Sequence, residues 1–418
     1  MRRIEWATAA LMLASASPAA ARDCGWRPVW ASAQMVPGGD NRLDSQAMTD
    51  ASLRQIVRVS AGGARIRIRI SNAFGTQSLL IRSASVARPV RVGGAAVQPG
   101  TITPLTFGGR AGVSVPAGSD WLSDPVPMPV AAFGDIAVTL QVAGEPGEQT
   151  SHPGSRTTSW LANGDATRDP AMAGATATEH WFNLSGVEVE TCGPAGAVVV
   201  LGDSITDGRG STTNGNDRWP DLLARRLAAD ARTRGMAVLN QGIGGNRVLA
   251  DGLGPSALAR LDRDVLALAG VSDLIVFEGV NDIGTLSRAE RPTPADADAL
   301  FEALTGAYAQ IVARARSRGL RVHGATITPF GASGYYHATP LIEGLRARVN
   351  AWIRTPGHFD GVVDMDRVVA DPARPDRLAS AFDTGDGLHP NPAGFARMAA
   401  AVSIGSLKGA VAGRSGKP

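Results

Sequence analysis

Lysine is almost missing from this 418-residue chain. It stands at Lys408 and Lys417 alone, so arginine carries nearly all of the 41 positive charges. Set against 38 acidic residues, these leave a formal balance of +3, too small for a strong long-range field. The arginines form no dense basic run and no aromatic stacking motif accompanies them, which sets nucleic acid aside as a partner. Aromatic residues make up only 5%. No segment approaches the roughly 20 consecutive apolar residues that a membrane-spanning helix needs, so no membrane anchor is expected. No Gly-rich loop has nucleotide-binding spacing. With 44% apolar and 19% charged residues, the chain has material for a packed core and lacks the composition of disorder. Its length suits two domains.

Cysteine is equally scarce: Cys24 and Cys192 are the two present. In an oxidising compartment such a pair reads as one disulfide, the alternative being two unpaired buried thiols. A bridge over so long a loop contributes at most roughly 4–5 kcal/mol by chain entropy. The N-terminus agrees with export. Residues 1–21 begin with Arg2 and Arg3, continue through an apolar run from Ala7 to Ala16 and end on Ala19-Ala20-Ala21. That is the layout of a secretory signal peptide, with a buried N-terminal helix as the alternative. The mature chain is expected in the periplasm or the medium.

Two periodicities divide the rest of the chain. From Trp26 to Glu190, short runs alternate apolar and polar residues between Gly, Pro, Asn and Asp turns. Arg65-Ile66-Arg67-Ile68-Arg69-Ile70 is a strict period of two, which places isoleucines on one face of a strand and arginines on the other, solvated one. Many short strands with such turns predict a β-sandwich or jelly-roll-like accessory domain over 22–195. After Gly196 strands and helices alternate. Strands are predicted at Ala197–Leu201, Met236–Asn240, Leu274–Glu278, Arg321–Ile327 and Gly361–Asp364. Helices are predicted at Trp219–Ala231, Leu258–Ala269, Leu341–Arg354, from Thr293 as N-cap towards Arg318, and from Asn391 to about Ser403. This pattern predicts a doubly wound parallel α/β sheet over 196–405, with its site at the carboxyl ends of the strands. Residues 406–418 read as a flexible tail.

Chemistry-bearing residues gather after those strands: Gly202-Asp203-Ser204-Ile205-Thr206-Asp207-Gly208, then Gly242-Ile243-Gly244-Gly245-Asn246-Arg247, then Gly279-Val280-Asn281-Asp282, and before the last helix Asp386-Gly387-Leu388-His389-Pro390-Asn391. Acyl transfer needs a nucleophile, a base, an acid to orient the base, and donors for an oxyanion. A serine at a strand-to-helix turn, and an Asp and His three residues apart, supply the first three. Backbone N–H groups at Ser204 and a glycine, with the Asn281 side chain, supply the last.

Taken in order, these blocks resemble the SGNH (GDSL) hydrolase family. The resemblance covers about 200 residues and implies a flavodoxin-like sheet and ester or thioester hydrolysis. It implies Ser204 as nucleophile, His389 as base, Asp386 as the acid that orients it, and Ser204, Gly245 and Asn281 as the oxyanion hole. Gly244 is an alternative match for Gly245. No metal or organic cofactor is implied. A β-rich module ahead of the block, with Arg218-Trp219-Pro220 and Gly252-Leu253-Gly254-Pro255, is similar to secreted bacterial SGNH esterases that accompany plant-polysaccharide degradation, so small-molecule or polysaccharide esters, acetyl esters of sugars among them, are the expected substrates.

Other readings stay open on the sequence. The same chemistry could serve a lipase, lysophospholipase or thioesterase, or a sugar O-acetyltransferase; a carbohydrate-binding protein on a retired hydrolase is the rival from another class. Arg247 is a substrate contact or a partner for Glu278 or Asp282. Asp203 and Asp207 are expected to bond backbone around the serine turn, and Asp282 to support its loop. Trp26, Trp30, Trp121, Trp160 and Trp181 are expected in the core rather than on a sugar-stacking face. His152, His180, His323, His337 and His358 have no ligand spacing, so no metal site is expected.

Overall fold

Arg65–Ile70 runs through the middle of a ten-residue strand in the computed structural model, which describes residues 24–45, 48–144, 147–192 and 196–408. The predicted signal peptide therefore lies outside the described residues. The main strands ahead of residue 196 are β1 (Cys24–Ala31), β2 (Ala51–Arg58), β3 (Gly63–Asn72), β4 (Leu79–Ala87), β5 (Asp135–Val142), β6 (Ser159–Asn163) and β7 (Leu184–Cys192). One antiparallel sheet has the order β1-β7-β3, with Ser119–Leu122 and Val126–Val130 also paired to β3. The other has the order β6-β2-β5-β4, extended by short strands at both ends.

The period of two does what it predicts on one face. Ile66, Ile68 and Ile70 are fully buried and share a cluster with Val187 and Val189 of β7 and with Leu53, Val57, Val138 and Leu140 of the second sheet. Burying each of these isoleucines contributes about 1.5–3 kcal/mol. The arginine face departs from expectation. Arg67 and Arg69 both pair with Glu188 of β7, Arg65 pairs with Glu190, and Arg67 lies over the Trp26 ring at 4.6 Å. The strand register sets Arg67 opposite Glu188, so a row of charges that looked solvated is a cross-strand ladder. Cys24 and Cys192 are opposite each other in the β1–β7 register and form a disulfide.

After residue 196 the strands are β8 (Ala197–Gly202), β9 (Ala237–Gly242), β10 (Val271–Phe277), β11 (Arg321–Ala325) and β12 (Gly361–Val363). All pair in parallel, in the order β9-β8-β10-β11-β12. The helices are α1 (Ser204–Asp207), α2 (Trp219–Ala229), α3 (Val280–Ser287), α4 (Pro294–Ser317), α5 (Pro340–Arg354) and α6 (Pro392–Ala401), with five-residue ones at Ala257–Leu261 and Met365–Val369. Val198 to Leu201 are completely buried, as a strand covered on both faces requires. Trp219, Leu223, Phe395 and Met398 of α2 and α6 pack on Val198 and Val200; Leu304, Ile311 and Val349 of α4 and α5 pack on the side of Val199 and Leu201. Thr293 and Asn391 cap their helices as expected, accepting from Asp296 N–H and Gly394 N–H.

Some boundaries move: the strand expected over Leu274–Glu278 spans Val271–Phe277, and that expected over Arg321–Ile327 ends at Ala325. The helix expected over Leu258–Ala269 stops at Leu261 and widens into a π-turn over Asp262–Leu266, where Arg260 and Asp264 are buried as a pair. Helix α3 was not expected at all; it starts directly behind Gly279, whose φ of 115° ends the strand abruptly. The chain also stays packed past 405: Leu407 is fully buried and the Lys408 N–H donates to Asp273, while 409–418 lie outside the described residues.

The two regions share one core, since a single hydrophobic cluster runs from the Ile66–Ile70 face to Val199 and Leu201. Polar contacts also cross. Edge strand β9 does not present its backbone to water, because Val238 N–H donates to Ser60 Oγ, which in turn donates to the Val29 carbonyl. Arg218 donates to the Ser155 carbonyl, and Asn214 N–H to the Arg156 carbonyl at 2.9 Å.

Candidate active site

Sheets of this strand order bind ligands where the order reverses, between β8 and β10. Ser204 follows β8 there, on the first residue of α1. Asp203 caps the helix by accepting from Ile205 N–H, so the serine is held with its backbone N–H in the first turn, where no intrahelical acceptor exists. The Oγ is 2.8 Å from His389 Nε2, and His389 Nδ1 is 2.6 Å from Asp386 Oδ2. Asp386 Oδ1 accepts from the N–H groups of Leu388 and His389. Partial burial raises this carboxyl, but the bonds from the His389 ring and backbone, the His389 charge and the Leu388 N–H outweigh it and hold Asp386 well below the usual carboxylate range. Asp386 is therefore ionised at neutral pH. It keeps the Nδ1 proton in place and leaves Nε2 free to accept from Ser204.

Asn281 sits at the start of α3, after β10. Its amide is oriented from both ends: Tyr336 O–H donates to Oδ1 at 2.6 Å, and Nδ2 donates to the Asn246 carbonyl at 2.7 Å, leaving one N–H to offer. Gly244 and Gly245 differ in their bonding. Gly244 N–H is occupied by Asp207 Oδ2 at 3.1 Å, whereas Gly245 N–H has no acceptor among the described residues. Gly245 has a φ of 76°, and a Cβ there would run into the Leu253 side chain.

Beneath this surface lies a fully buried Arg260. It donates to Glu278, Asp264, Asn246 Oδ1 and the carbonyls of Gln241 and Gly202. Burial pushes the Asp203 carboxyl up to about 7, and the charges of Asp282 and Asp207 push the same way against the Ile205 N–H and Arg260. Asp282 is pushed up to about 6, again by burial, although it accepts from Val248 and Leu249 N–H. Asp282 thus supports the second loop from the third, as expected. Arg247 makes no ion pair with Glu278, which is taken by Arg260; its side chain donates to the Asp251 carbonyl, and its positive charge acts on Asp282, lowering that carboxyl against the effect of burial.

A cleft of about 1080 Å³ opens over Ser204, His389, Gly245 and Asn281, and the β-rich region supplies part of its wall through Met35, His152, Arg156 and His180. Sequence reasoning passed over His152. It is buried, with Nδ1 on the Ala33 carbonyl at 2.8 Å and Nε2 on Asp207 Oδ1 at 2.9 Å. Nothing in its spacing marked it, because its partner is 55 residues away, after β8. Tyr336 was missed because its partner Asn281 is likewise 55 residues away. Trp30 and Trp181 are buried as expected, Trp26 and Trp160 partly so, and Trp121 is exposed but does not line the cleft. Among the described residues no group of three or more His, Cys, Asp or Glu side chains could hold a metal ion, and no helix is long and apolar enough to cross a membrane.

The model of the GDSL-like lipase/acylhydrolase family matches residues 200–397, from the end of β8 into α6. This segment belongs to that family. The chain is accordingly an ester-hydrolysing enzyme. Among solved structures, the acetylxylan esterase Axe2 from Geobacillus stearothermophilus is 19% identical, with 49% of this chain and 91% of that one covered and a TM-score of 0.37. A GDSL-like lipase from Bacteroides thetaiotaomicron is 21% identical, covering 49% and 84% at 0.35. The acetyl xylan esterase AlAXEase is 21% identical, covering 49% and 96% at 0.36. No curated protein matches the chain.

Proposed function

We propose that this GDSL-like enzyme is an exported serine esterase acting on short-chain acyl esters, acetyl groups on plant polysaccharides among them. Ser204 is the nucleophile: its Oγ attacks the acyl carbonyl as His389 Nε2 takes the proton, and Asp386 stabilises the resulting imidazolium. The oxyanion is held by the N–H groups of Ser204 and Gly245 and by the free N–H of Asn281. Collapse expels the alcohol, protonated by His389, and leaves an acyl-Ser204 ester that water, deprotonated by the same imidazole, hydrolyses. The observation that carries this reading is the unbroken chain from Ser204 Oγ through His389 to Asp386, at 2.8 and 2.6 Å, opening on the cleft. The parallel order β9-β8-β10-β11-β12 supports a flavodoxin-like catalytic domain over 196–405, and two antiparallel sheets around one core support a sandwich over 22–195. The Cys24–Cys192 disulfide supports export.

The test is a series of p-nitrophenyl esters from acetate to palmitate, with Ser204→Ala alongside. Cleavage confined to short chains and reduced on the order of 10⁶-fold in the variant is the expected result. A preference for long chains replaces the substrate class with lipids, and unchanged rates in Ser204→Ala overturn the mechanism.

A further inference from the structure

Asp207 lies three residues after the nucleophile and is buried, yet the mechanism does not use it. Its two oxygens face different domains: Oδ1 meets His152 Nε2 at 2.9 Å, and Oδ2 accepts from Gly244 N–H at 3.1 Å. His152 is held on both sides, by the Ala33 carbonyl at Nδ1 and by Asp207 at Nε2. The approach is tight, since a Cβ on Gly154 would lie 1.8 Å from Asp207 Oδ2. Trp181 stacks on the imidazole with centroids 5.5 Å apart. We infer that His152 is a positioning residue for the oxyanion hole. Through Asp207 it fixes the Gly244 peptide, and with it the neighbouring Gly245 N–H aimed at the reacting carbonyl. This rests on the serine-esterase reading and makes the β-rich region part of the catalytic unit.

A structural pillar and a positioning residue differ in what they change. In the full chain, His152→Ala should lower kcat on p-nitrophenyl acetate about ten- to a hundredfold with KM within about twofold. His152→Gln, which keeps a donor towards Asp207, should recover most of the loss. Equal kcat in His152→Ala and wild type, or a loss in folded protein that Gln does not restore, overturns the inference. An inert wild type on that ester instead fails the esterase reading and takes the inference with it.

A second feature stands on different residues. Arg156, Arg209, Arg247 and Arg288 line the cleft from both regions, and none forms an ion pair among the described residues. Arg247 donates to the Asp251 carbonyl and its charge acts on Asp282 at long range; Arg288 donates to the Tyr335 hydroxyl and lies over that ring at 4.7 Å. Arg156 adopts a left-handed φ of 49°, and its Nε is buried with no acceptor. The acids on the same wall are Glu179 and the already engaged Asp207 and Asp386. The geometry points to an ester whose alcohol portion carries a negative charge, held by these guanidiniums while Ser204 takes the acyl group.

Two aryl acetates that differ in that charge, 4-acetoxybenzoate and methyl 4-acetoxybenzoate, test it on the full-length enzyme. With each kcat/KM normalised to hydroxide-catalysed hydrolysis, the anionic ester should be favoured by about fivefold or more. That ratio should collapse towards one in Arg156→Ala/Arg209→Ala and at high salt, and return in Arg156→Lys/Arg209→Lys. A wild-type ratio at or below one, or a ratio untouched by both variant and salt, overturns the anionic subsite while leaving the esterase reading standing. Cleavage that is unchanged in Ser204→Ala fails both.

Discussion

The two regions of this molecule place their working residues in opposite ways. In the α/β region every candidate catalytic group lies within a few residues of a strand end or helix start: Ser204 behind β8, Gly245 behind β9, Asn281 behind β10, His389 and Asp386 ahead of α6. In the β-rich region the residues proposed to act on the site, His152 and Arg156, come from the two-residue strand Ser151–His152 and the loop after it, and its charged strand face is absorbed in a ladder with Glu188 and Glu190. A parallel sheet concentrates chemistry because all its strands point the same carboxyl ends at one edge. An antiparallel module has no such edge, so it contributes walls and supports.

Variants sharpen this contrast. The largest effect in the α/β region, apart from the nucleophile, belongs to Asn281→Ala, which removes one oxyanion donor and should lower kcat roughly 10²- to 10³-fold with KM little changed, read from steady-state kinetics. Rates within about threefold of wild type would remove Asn281 from the oxyanion hole. Next comes His152→Ala, whose expected loss is smaller because it acts through Asp207; a loss as large as that of Asn281→Ala would erase the distinction between donor and support. The smallest effect is on stability. Asp203 is an acid whose folded value is raised to about 7, from an ordinary one near 3.8. Between those values the folded state holds the extra proton, so this group makes stability fall as pH rises through the window. Asp203→Asn lacks that dependence, so its melting temperature should drop less between pH 4 and pH 8 than that of wild type. Parallel curves would show that the buried carboxylate costs nothing there.

Much of the fold and most of the site are legible in the sequence. The Ile66–Ile70 face, the strand–helix alternation and the four blocks each depend on short-range periodicity or on a turn that only certain residues can make. Capping by Thr293 and Asn391 is legible for the same reason. The π-turn after Leu261 is not, because it follows from burying Arg260 against Glu278, Gln241 and Gly202, none of which is its neighbour in sequence. Nor is the state of Gly244, whose N–H looks as available as that of Gly245 until Asp207 is seen to hold it.

The sequence by itself determined the family of the C-terminal half, singled out Ser204, His389, Asp386 and Asn281 as candidates, and set the apolar face of β3, since these rest on spacings of a few residues. The tertiary structure decided which glycine N–H is free, which partner each buried charge has, and that a histidine from the first half reaches the turn of the second. Those outcomes depend on contacts between segments tens to hundreds of residues apart. In such contacts the burial of a charge forces a partner into place, and no local pattern encodes it.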